Sequence, residues 1–191
     1  TQNTTWVNVE KAIARLKSED VLQLPALHEV PLSSLATWIR PTGYFNLKAR
    51  RLRALTTMIS EQYQGDLTSF LKEPADRMRN QLLSVWGIGP ETADSIILYA
   101  AHHARFVVDA YTRRFLERHK WLHGAESYDE VARVFTRALS PNPVLFNEFH
   151  ALIVRLAKNH CHARNPDCEH CPLGSILPPD SLPVEKIGPR P

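Results

Sequence analysis

The chain has 191 residues, of which 43% are hydrophobic and 23% are charged, and its formal net charge is +3. This composition excludes a disordered chain, and three cysteines are too few for a domain that is stabilised mainly by disulfide bonds. No apolar run approaches the roughly 18 residues that a membrane span needs, so we expect an intracellular protein, cytoplasmic or nucleoid-associated if bacterial, with no membrane partner. The weak positive charge permits nucleic-acid binding without demonstrating it.

Helical periodicity runs through almost the whole chain, and no segment alternates as a β-strand would. Apolar residues recur every three or four positions within 6–16, 52–59, 131–138 and 145–156. In the last of these segments the predicted buried stripe is Leu145, Phe149, Leu152 and Leu156. Turns rich in proline or glycine, such as 40–43 and 140–143, separate the segments. The sequence therefore predicts an all-α fold.

A helix, a tight turn and a second helix are predicted between residues 81 and 101. The turn is Gly87-Ile88-Gly89, and Pro90 after it suits the first turn of a new helix. The first N–H groups of that second helix have no partner within the helix, and the helix dipole makes their surroundings positive. A DNA phosphate fits such an anion site. The alternative is an ordinary helical hairpin with a glycine cap.

An aspartate follows the hairpin at the end of an apolar run. Asp109 comes directly after 106–108 and before a third predicted helix at 110–116. A carboxylate in that position is typical of a helix N-cap, and this is the alternative to a catalytic role.

The hairpin, its spacing to Asp109 and the Val-Val-Asp context together resemble the helix-hairpin-helix DNA glycosylase superfamily, endonuclease III group. The segments 2–4, 40–46 and 87–94 are most similar to 3-methyladenine DNA glycosylases within that group. The resemblance runs from residue 1 to about residue 173 and places the family's first helix before Thr1. It implies two lobes, a helical bundle at 26–119 and a second lobe from 1–25 and 120–191, with a DNA cleft between them.

The resemblance implies an enzyme that flips a damaged base out of duplex DNA and hydrolyses its N-glycosidic bond. Asp109 is then the catalytic carboxylate, because an anion beneath C1′ stabilises the positive charge that develops on the sugar. The implied DNA-binding residues are Gly87, Ile88, Gly89, Thr92, Gln2, Lys48 and Arg164. The implied base pocket contains Trp6, Glu91, Tyr44 and Tyr111. The alternatives are solvated surface groups for Gln2 and Lys48 and a core aromatic for Trp6.

Glu91 departs from the pattern of the bifunctional endonuclease III branch, in which a lysine at this position attacks C1′. The resemblance therefore implies a monofunctional glycosylase without lyase activity, acting as a monomer on duplex DNA. An N-alkylated purine is positively charged and leaves as a neutral base. The negative charge of Glu91, together with aromatic stacking, would favour binding of such a cationic base. The alternative for Glu91 is a first-turn glutamate stabilised by the helix dipole. An endonuclease III-like or mismatched-thymine specificity, and a non-catalytic DNA-binding module, are the alternative functions.

The three cysteines form the other informative pattern. Cys161, Cys168 and Cys171 match the spacing of the first three ligands in the iron–sulfur loop of endonuclease III relatives, whereas the position of the fourth holds Leu177. A [4Fe–4S] cluster normally takes four thiolates, so another group, an exogenous ligand or a three-iron cluster is needed. Three histidines lie nearby, at His160, His162 and His170, and they make a zinc site the alternative. The third possibility is that the loop binds no metal.

Overall fold

The structure is a computed structural model that describes residues 3–178. These residues form ten α-helices: α1 (Trp6–Ser18), α2 (Leu24–Glu29), α3 (Leu32–Trp38), α4 (Phe45–Tyr63), α5 (Leu67–Leu71), α6 (Ala75–Ser84), α7 (Pro90–Tyr99), α8 (Ala110–Arg118), α9 (Tyr128–Ala138) and α10 (Pro143–Asn159). Short 3-10 turns lie at Arg40–Thr42 and Gly174–Ile176, and residues 3–178 contain no β-strand. The all-α prediction is confirmed. Within the same residues, no helix has the length and apolar character to cross a membrane.

Internal packing divides the chain into two units, Thr1–Gly89 and Pro90–Pro191. This division falls inside the hairpin, between its last glycine and its proline. The lobe boundaries inferred from the sequence, at 25/26 and 119/120, are different, and the two lobes with an intervening DNA cleft stay a prediction.

The core of the first unit is formed where α1, α3 and α4 pack together. Its buried members include Leu16 from α1, Leu35 from α3 and Ala49 from α4. Trp6, at the start of α1, stays outside this core with 59% of its surface exposed, so the interpretation of Trp6 as a core aromatic is wrong. The apolar surface of α1 is buried instead through Ala12 and Leu16, further along the helix.

The core of the second unit is aromatic and surrounds the extended segment between α7 and α8. The ring of Phe106 stacks on Phe135 with centroids 3.8 Å apart and meets Phe146 edge-on at 5.6 Å. Val107 and Val108 are also buried, so three consecutive residues point into protein rather than alternating as in a half-exposed strand. Full burial of a side chain such as Phe106 stabilises the fold by roughly 1.5–3 kcal/mol. This packing fixes the place at which the next residue, Asp109, leaves the core.

The buried stripe of α10 differs from the predicted one by one position. The buried residues are Phe146, His150, Ile153 and Ala157, whereas 51% of Leu152 is exposed. Phe149 and Leu156 of the predicted stripe are partly buried against the same core. The predicted stripe is therefore wrong by one position along the helix. The buried face contains a polar residue, His150, and a prediction that follows apolar residues alone does not select it.

Candidate active site and cysteine loop

The hairpin turn is built around a glycine that no other residue can replace without strain. Gly87 has φ +84°, and a Cβ at this position would lie 2.6 Å from Cγ of Arg51. The Ile88 N–H donates to the Val85 carbonyl at 3.1 Å, so the turn itself uses that amide. Pro90, the first residue of α7, has no N–H group, so a phosphate at this turn would have to be bound by other amides at the start of the helix. Phosphate binding there stays a prediction.

Asp109 caps α8 and also faces a second group. Its Oδ1 accepts hydrogen bonds from the Thr112 N–H at 2.8 Å and the Thr112 hydroxyl at 3.0 Å. Its Oδ2 lies 3.4 Å from Nε2 of His150, and 15% of the Asp109 side chain is exposed. Burial by itself would raise the pKa of Asp109, but the nearby His150 ring and the hydrogen bonds from Thr112 hold the pKa below its usual value. The N-cap interpretation is thus confirmed, and it leaves Oδ2 outside the cap.

His150 and Tyr99 are site residues that the sequence interpretation missed. Nδ1 of His150 lies 2.5 Å from the Tyr99 hydroxyl, and the two residues are 51 positions apart. Burial, followed by the charge of Asp109, raises the pKa of Tyr99 to about 12, so its hydroxyl keeps its proton. The available signal was a histidine next to Phe149 in an otherwise apolar stretch of α10, which a one-residue shift of the stripe would have placed in the core.

Glu91 belongs to the same electrostatic environment. Its side chain reaches solvent, yet the surrounding protein displaces enough water to raise the pKa of Glu91, and the Asp109 carboxylate raises it further. His150 acts in the opposite direction. Two carboxyl groups of one unit therefore have pKa values displaced in opposite directions, downward for Asp109 and upward for Glu91. Opposite displacement of two carboxyl groups is a pattern of functional sites.

Two of the predicted base-pocket aromatics lie at the surface of the first unit, and a third lies in the second unit. Trp6 and Tyr44 are 59% and 70% exposed, as stacking surfaces for a base would be. Tyr111 is half-buried against the aromatic core, and the guanidinium of Arg114 lies 5.1 Å from its ring centroid. The assignment of all three to one base pocket with Glu91 stays a prediction.

The predicted DNA-binding side chains have different surroundings. Lys48 is half-buried and its Nζ donates to the Thr42 carbonyl at 2.7 Å, so Lys48 is not the freely solvated charge considered as its alternative. Burial, with the nearby Arg51 as the second cause, lowers the pKa of Lys48. Arg164 is exposed in the cysteine loop. Gln2 lies outside the described residues.

The three cysteine side chains line one small cavity at the C-terminal end of α10. Arg118 donates to Sγ of Cys161 at 3.0 Å, and Arg114 donates to the Cys161 carbonyl at 2.7 Å. A Cβ on Gly174 would lie 2.4 Å from the Cys168 carbonyl oxygen, so this close loop requires glycine. As the side chains of residues 3–178 stand, no three His, Cys, Asp or Glu groups form a metal-ligating set. The donor chemistry nevertheless fits, because thiolates are the ligands that iron–sulfur clusters take.

The histidines of the loop differ in their access to this cavity. His170 is exposed and its Nδ1 lies 2.8 Å from Asp167, and His162 is also exposed. Only His160 among the three lines the cavity, where Leu177 is a further lining residue. Leu177 therefore stands beside the thiols at the position of the missing fourth cysteine.

Comparisons with known proteins agree with this arrangement. The model of the HhH-GPD superfamily of base excision DNA repair proteins matches residues 1–141, and the model of the iron–sulfur binding domain of endonuclease III matches residues 161–176. A Methanocaldococcus jannaschii protein named as a DNA repair glycosylase is 42% identical over 175 residues, which cover 91% of this chain and 79% of that protein. Endonuclease III of Bacillus subtilis is 28% identical, with coverage of 77% and 63%. The chain thus spans less than two thirds of that second relative.

Solved structures show the same fold. The H. pylori 3-methyladenine DNA glycosylase bound to 1,N6-ethenoadenine is 31% identical, covers 83% of this chain and 80% of its own, and has a TM-score of 0.73. The protein in a non-covalent endonuclease III–DNA complex is 25% identical, and the match covers 93% of this chain and 78% of that chain with a TM-score of 0.77. These matches confirm the predicted glycosylase fold and the iron–sulfur interpretation of the cysteine loop. The chain therefore belongs to the HhH-GPD superfamily of base excision DNA repair proteins, the DNA N-glycosylases, and carries the iron–sulfur binding domain of endonuclease III.

Proposed function

We propose that this protein is a monofunctional DNA glycosylase that removes an alkylated base from duplex DNA as a monomer inside the cell. The observation that carries the proposal is the Asp109 site. One carboxylate oxygen is fixed by Thr112, the other is outside the cap, and Glu91 stands where the lysine nucleophile of bifunctional relatives would be.

The reaction needs one buried anion and one water molecule. Water attacks C1′ and gives its proton to the Asp109 carboxylate, while the C1′–N bond breaks and its electron pair leaves with the base. A base that carries a positive charge becomes neutral in this step, so no general acid is required. A neutral lesion would instead need a proton donor on the base, and the raised pKa of Glu91 makes it the candidate for that role.

In this proposal the protein binds DNA through backbone amides of the hairpin and through exposed aromatic side chains. Gly89 and the first turn of α7 bind a phosphate, with Gly87 and Ile88 shaping the turn and Thr92 in the helix that follows. Trp6 and Tyr44 supply exposed rings for stacking, and Lys48, Arg164 and Gln2 are further proposed DNA contacts. The similarity to an endonuclease III–DNA complex supports duplex DNA as the partner.

The iron–sulfur cluster would be held by the thiolates of Cys161, Cys168 and Cys171 and has a structural role in this proposal. Arg118 and Arg114 already bond the Cys161 thiol and carbonyl, so the loop is attached to α8. The zinc alternative needs His160 as its fourth ligand. Metal analysis of the purified protein distinguishes iron with sulfide from zinc.

The test is excision from five duplexes that differ only at the target base pair: a methylated purine, 1,N6-ethenoadenine, an oxidised pyrimidine, a mismatched thymine and an undamaged control. Each product is divided and analysed with and without alkali. We expect excision from the alkylated duplexes and strand breaks only after alkali. Excision confined to the oxidised or mismatched pyrimidine would overturn the substrate class, and no excision from any duplex would favour the non-catalytic module.

A further inference from the structure

We propose that His150, held in turn by Tyr99, is a positioning residue for the Asp109 carboxylate. The inference rests on the proposed function, because it concerns the same reaction. Neither residue belongs to the hairpin turn, the cysteine loop or the run 106–109 from which the site was predicted.

The three side chains come from three places in the second unit and form one line of contacts. Tyr99 ends α7, His150 lies on the buried face of α10, and Asp109 precedes α8. The Tyr99 hydroxyl is 2.5 Å from Nδ1 of His150, and Nε2 of the same ring is 3.4 Å from Oδ2 of Asp109. The second distance is in the ion-pair range and longer than an ideal hydrogen bond, as contacts in unliganded active sites often are.

Burial decides what Nε2 of His150 can bond. This nitrogen is buried and has no geometrically complete hydrogen bond to any residue between 3 and 178, and Asp109 Oδ2 is the acceptor that it faces. Leaving a buried imidazole nitrogen unpaired is unfavourable, and a hydrogen bond to Asp109 Oδ2 is the arrangement that would remove this penalty.

The Tyr99 hydroxyl selects which ring nitrogen carries the proton. Because the hydroxyl keeps its proton, it donates to Nδ1, and a neutral imidazole then carries its own proton on Nε2. That proton points to the Asp109 carboxylate. The Tyr99 hydroxyl therefore donates to Nδ1 of His150, and Nε2 of His150 donates to Oδ2 of Asp109, which accepts.

The two oxygens of Asp109 are thereby separated in role. Oδ1 accepts both Thr112 bonds and is fully used as a cap. Oδ2 faces His150 and keeps lone pairs for water or the sugar. A donor on Oδ2 prevents rotation of the carboxylate and stabilises its charged form, and both effects act on the oxygen that does the chemistry. The competing explanation is packing alone, since Phe106 meets the His150 ring edge-on at 6.4 Å.

Packing needs the volume of the ring, whereas positioning needs the nitrogen. We therefore compare His150→Leu, which keeps apolar volume, with His150→Gln, whose amide nitrogen can replace Nε2. Tyr99→Phe removes only the hydroxyl, and His123→Gln, at an exposed histidine, is the matched control. Single-turnover excision from a duplex that carries a positively charged N-methylated purine and duplex affinity are measured for each folded variant.

We expect His150→Leu to lower the single-turnover rate by about 30-fold or more while duplex affinity changes by less than about 2-fold. His150→Gln should recover most of the rate, and Tyr99→Phe should lose about 3-fold to 10-fold. The titratable groups that interact with Asp109 are His150, Glu91 and Tyr99. Loss of the His150 donor leaves only Thr112 to oppose the effect of burial, so the pKa of Asp109 rises and the acid limb of the rate profile should move to higher pH in His150→Leu. Equal losses in Leu and Gln with an unmoved acid limb would overturn the proposal.

A second measurement does not depend on excision. Nitrogen-15 correlation spectra of the histidine rings report which nitrogen is protonated, and in wild type we expect Nε2–H for His150. Tyr99→Phe should populate the other tautomer. Wild type with Nδ1–H overturns the proposal even if excision is normal. If wild type excises no base but shows the expected tautomer, the proposed function fails and the hydrogen-bond arrangement stands.

Discussion

Asp109 and Thr112 form a helix cap that uses only one of the two carboxylate oxygens. Thr112 donates to Oδ1 through both its backbone N–H and its hydroxyl. The structural and catalytic interpretations of Asp109 are therefore compatible, because the cap holds one oxygen and leaves the other to the reaction. This division allows stability and activity to be tested separately at one position.

Asp109→Asn should abolish excision with little effect on folding. Asn and Asp cap helices about equally well, so the free energy of unfolding at neutral pH should fall by no more than about 1 kcal/mol. Excision should fall by at least about 100-fold, because the anion that stabilises the sugar cation is lost. Duplex affinity should persist or increase. Melting temperature, single-turnover rate and affinity are measured on one preparation.

The matched control is Asp66→Asn, because Asp66 caps α5 by accepting from the N–H groups of Thr68 and Ser69. This variant should leave excision unchanged. If Asp109→Asn excises as wild type does, Asp109 is only a cap.

The ionisation of Asp109 also makes stability depend on pH. Its folded-state pKa is lower than the ordinary value, so the stabilisation is present above the ordinary carboxyl pKa and is lost as the pH falls through the folded-state value. The difference in unfolding free energy between wild type and Asp109→Asn should therefore become smaller below about pH 4. A difference that is constant between about pH 7 and about pH 3 would contradict the assigned hydrogen bonds.

Abasic sites made by this protein should stay intact until alkali or heat cleaves them. Glu91 has no amine with which to form an imine at C1′, so borohydride should trap no covalent protein–DNA adduct. Endonuclease III serves as the positive control in the same gel. A trapped adduct would show that another amine of this chain attacks the sugar.

Gly87→Ala should destabilise the protein and weaken duplex binding. The backbone strain at positive φ and the contact of the new Cβ with Arg51 should together cost about 2–4 kcal/mol. Gly124→Ala is the matched control, since Gly124 has φ +87° and a Cβ added there would have no neighbouring atom within 4 Å. It should cost only about 1 kcal/mol and leave affinity unchanged. Equal duplex affinities for both variants would show that the hairpin is not part of the DNA interface.

Leu177→Cys should strengthen the iron–sulfur cluster. Leu177 lines the same cavity as the three thiols, so a cysteine there would supply the fourth thiolate. We expect the half-life of cluster absorbance in chelator to increase by at least about 5-fold. Ile176→Cys, at a neighbour that is 51% exposed, is the control. An unchanged half-life would show that the fourth ligand position is not at residue 177.

The sequence by itself determined the features that depend on neighbouring residues. A period of 3.6 residues specified the helices, the two glycines and Pro90 specified the hairpin turn, and Asp109 before 110–116 specified a cap. The spacing of the cysteines likewise indicated the iron–sulfur loop. Each of these is a local rule, in which the backbone conformation is set within a few residues of the motif.

Only the tertiary structure decided which faces are buried and which distant groups meet. His150 lies on the buried face of α10, where the Tyr99 hydroxyl contacts one ring nitrogen and the Asp109 carboxylate faces the other, and these two residues lie 51 and 41 positions away in the chain. Burial of a polar ring is unfavourable without such partners, and a local sequence pattern cannot predict partners that are distant in the chain. For the same reason apolarity alone could not predict that Trp6 would stay exposed, because burial depends on the elements that pack against a helix and not on the helix itself.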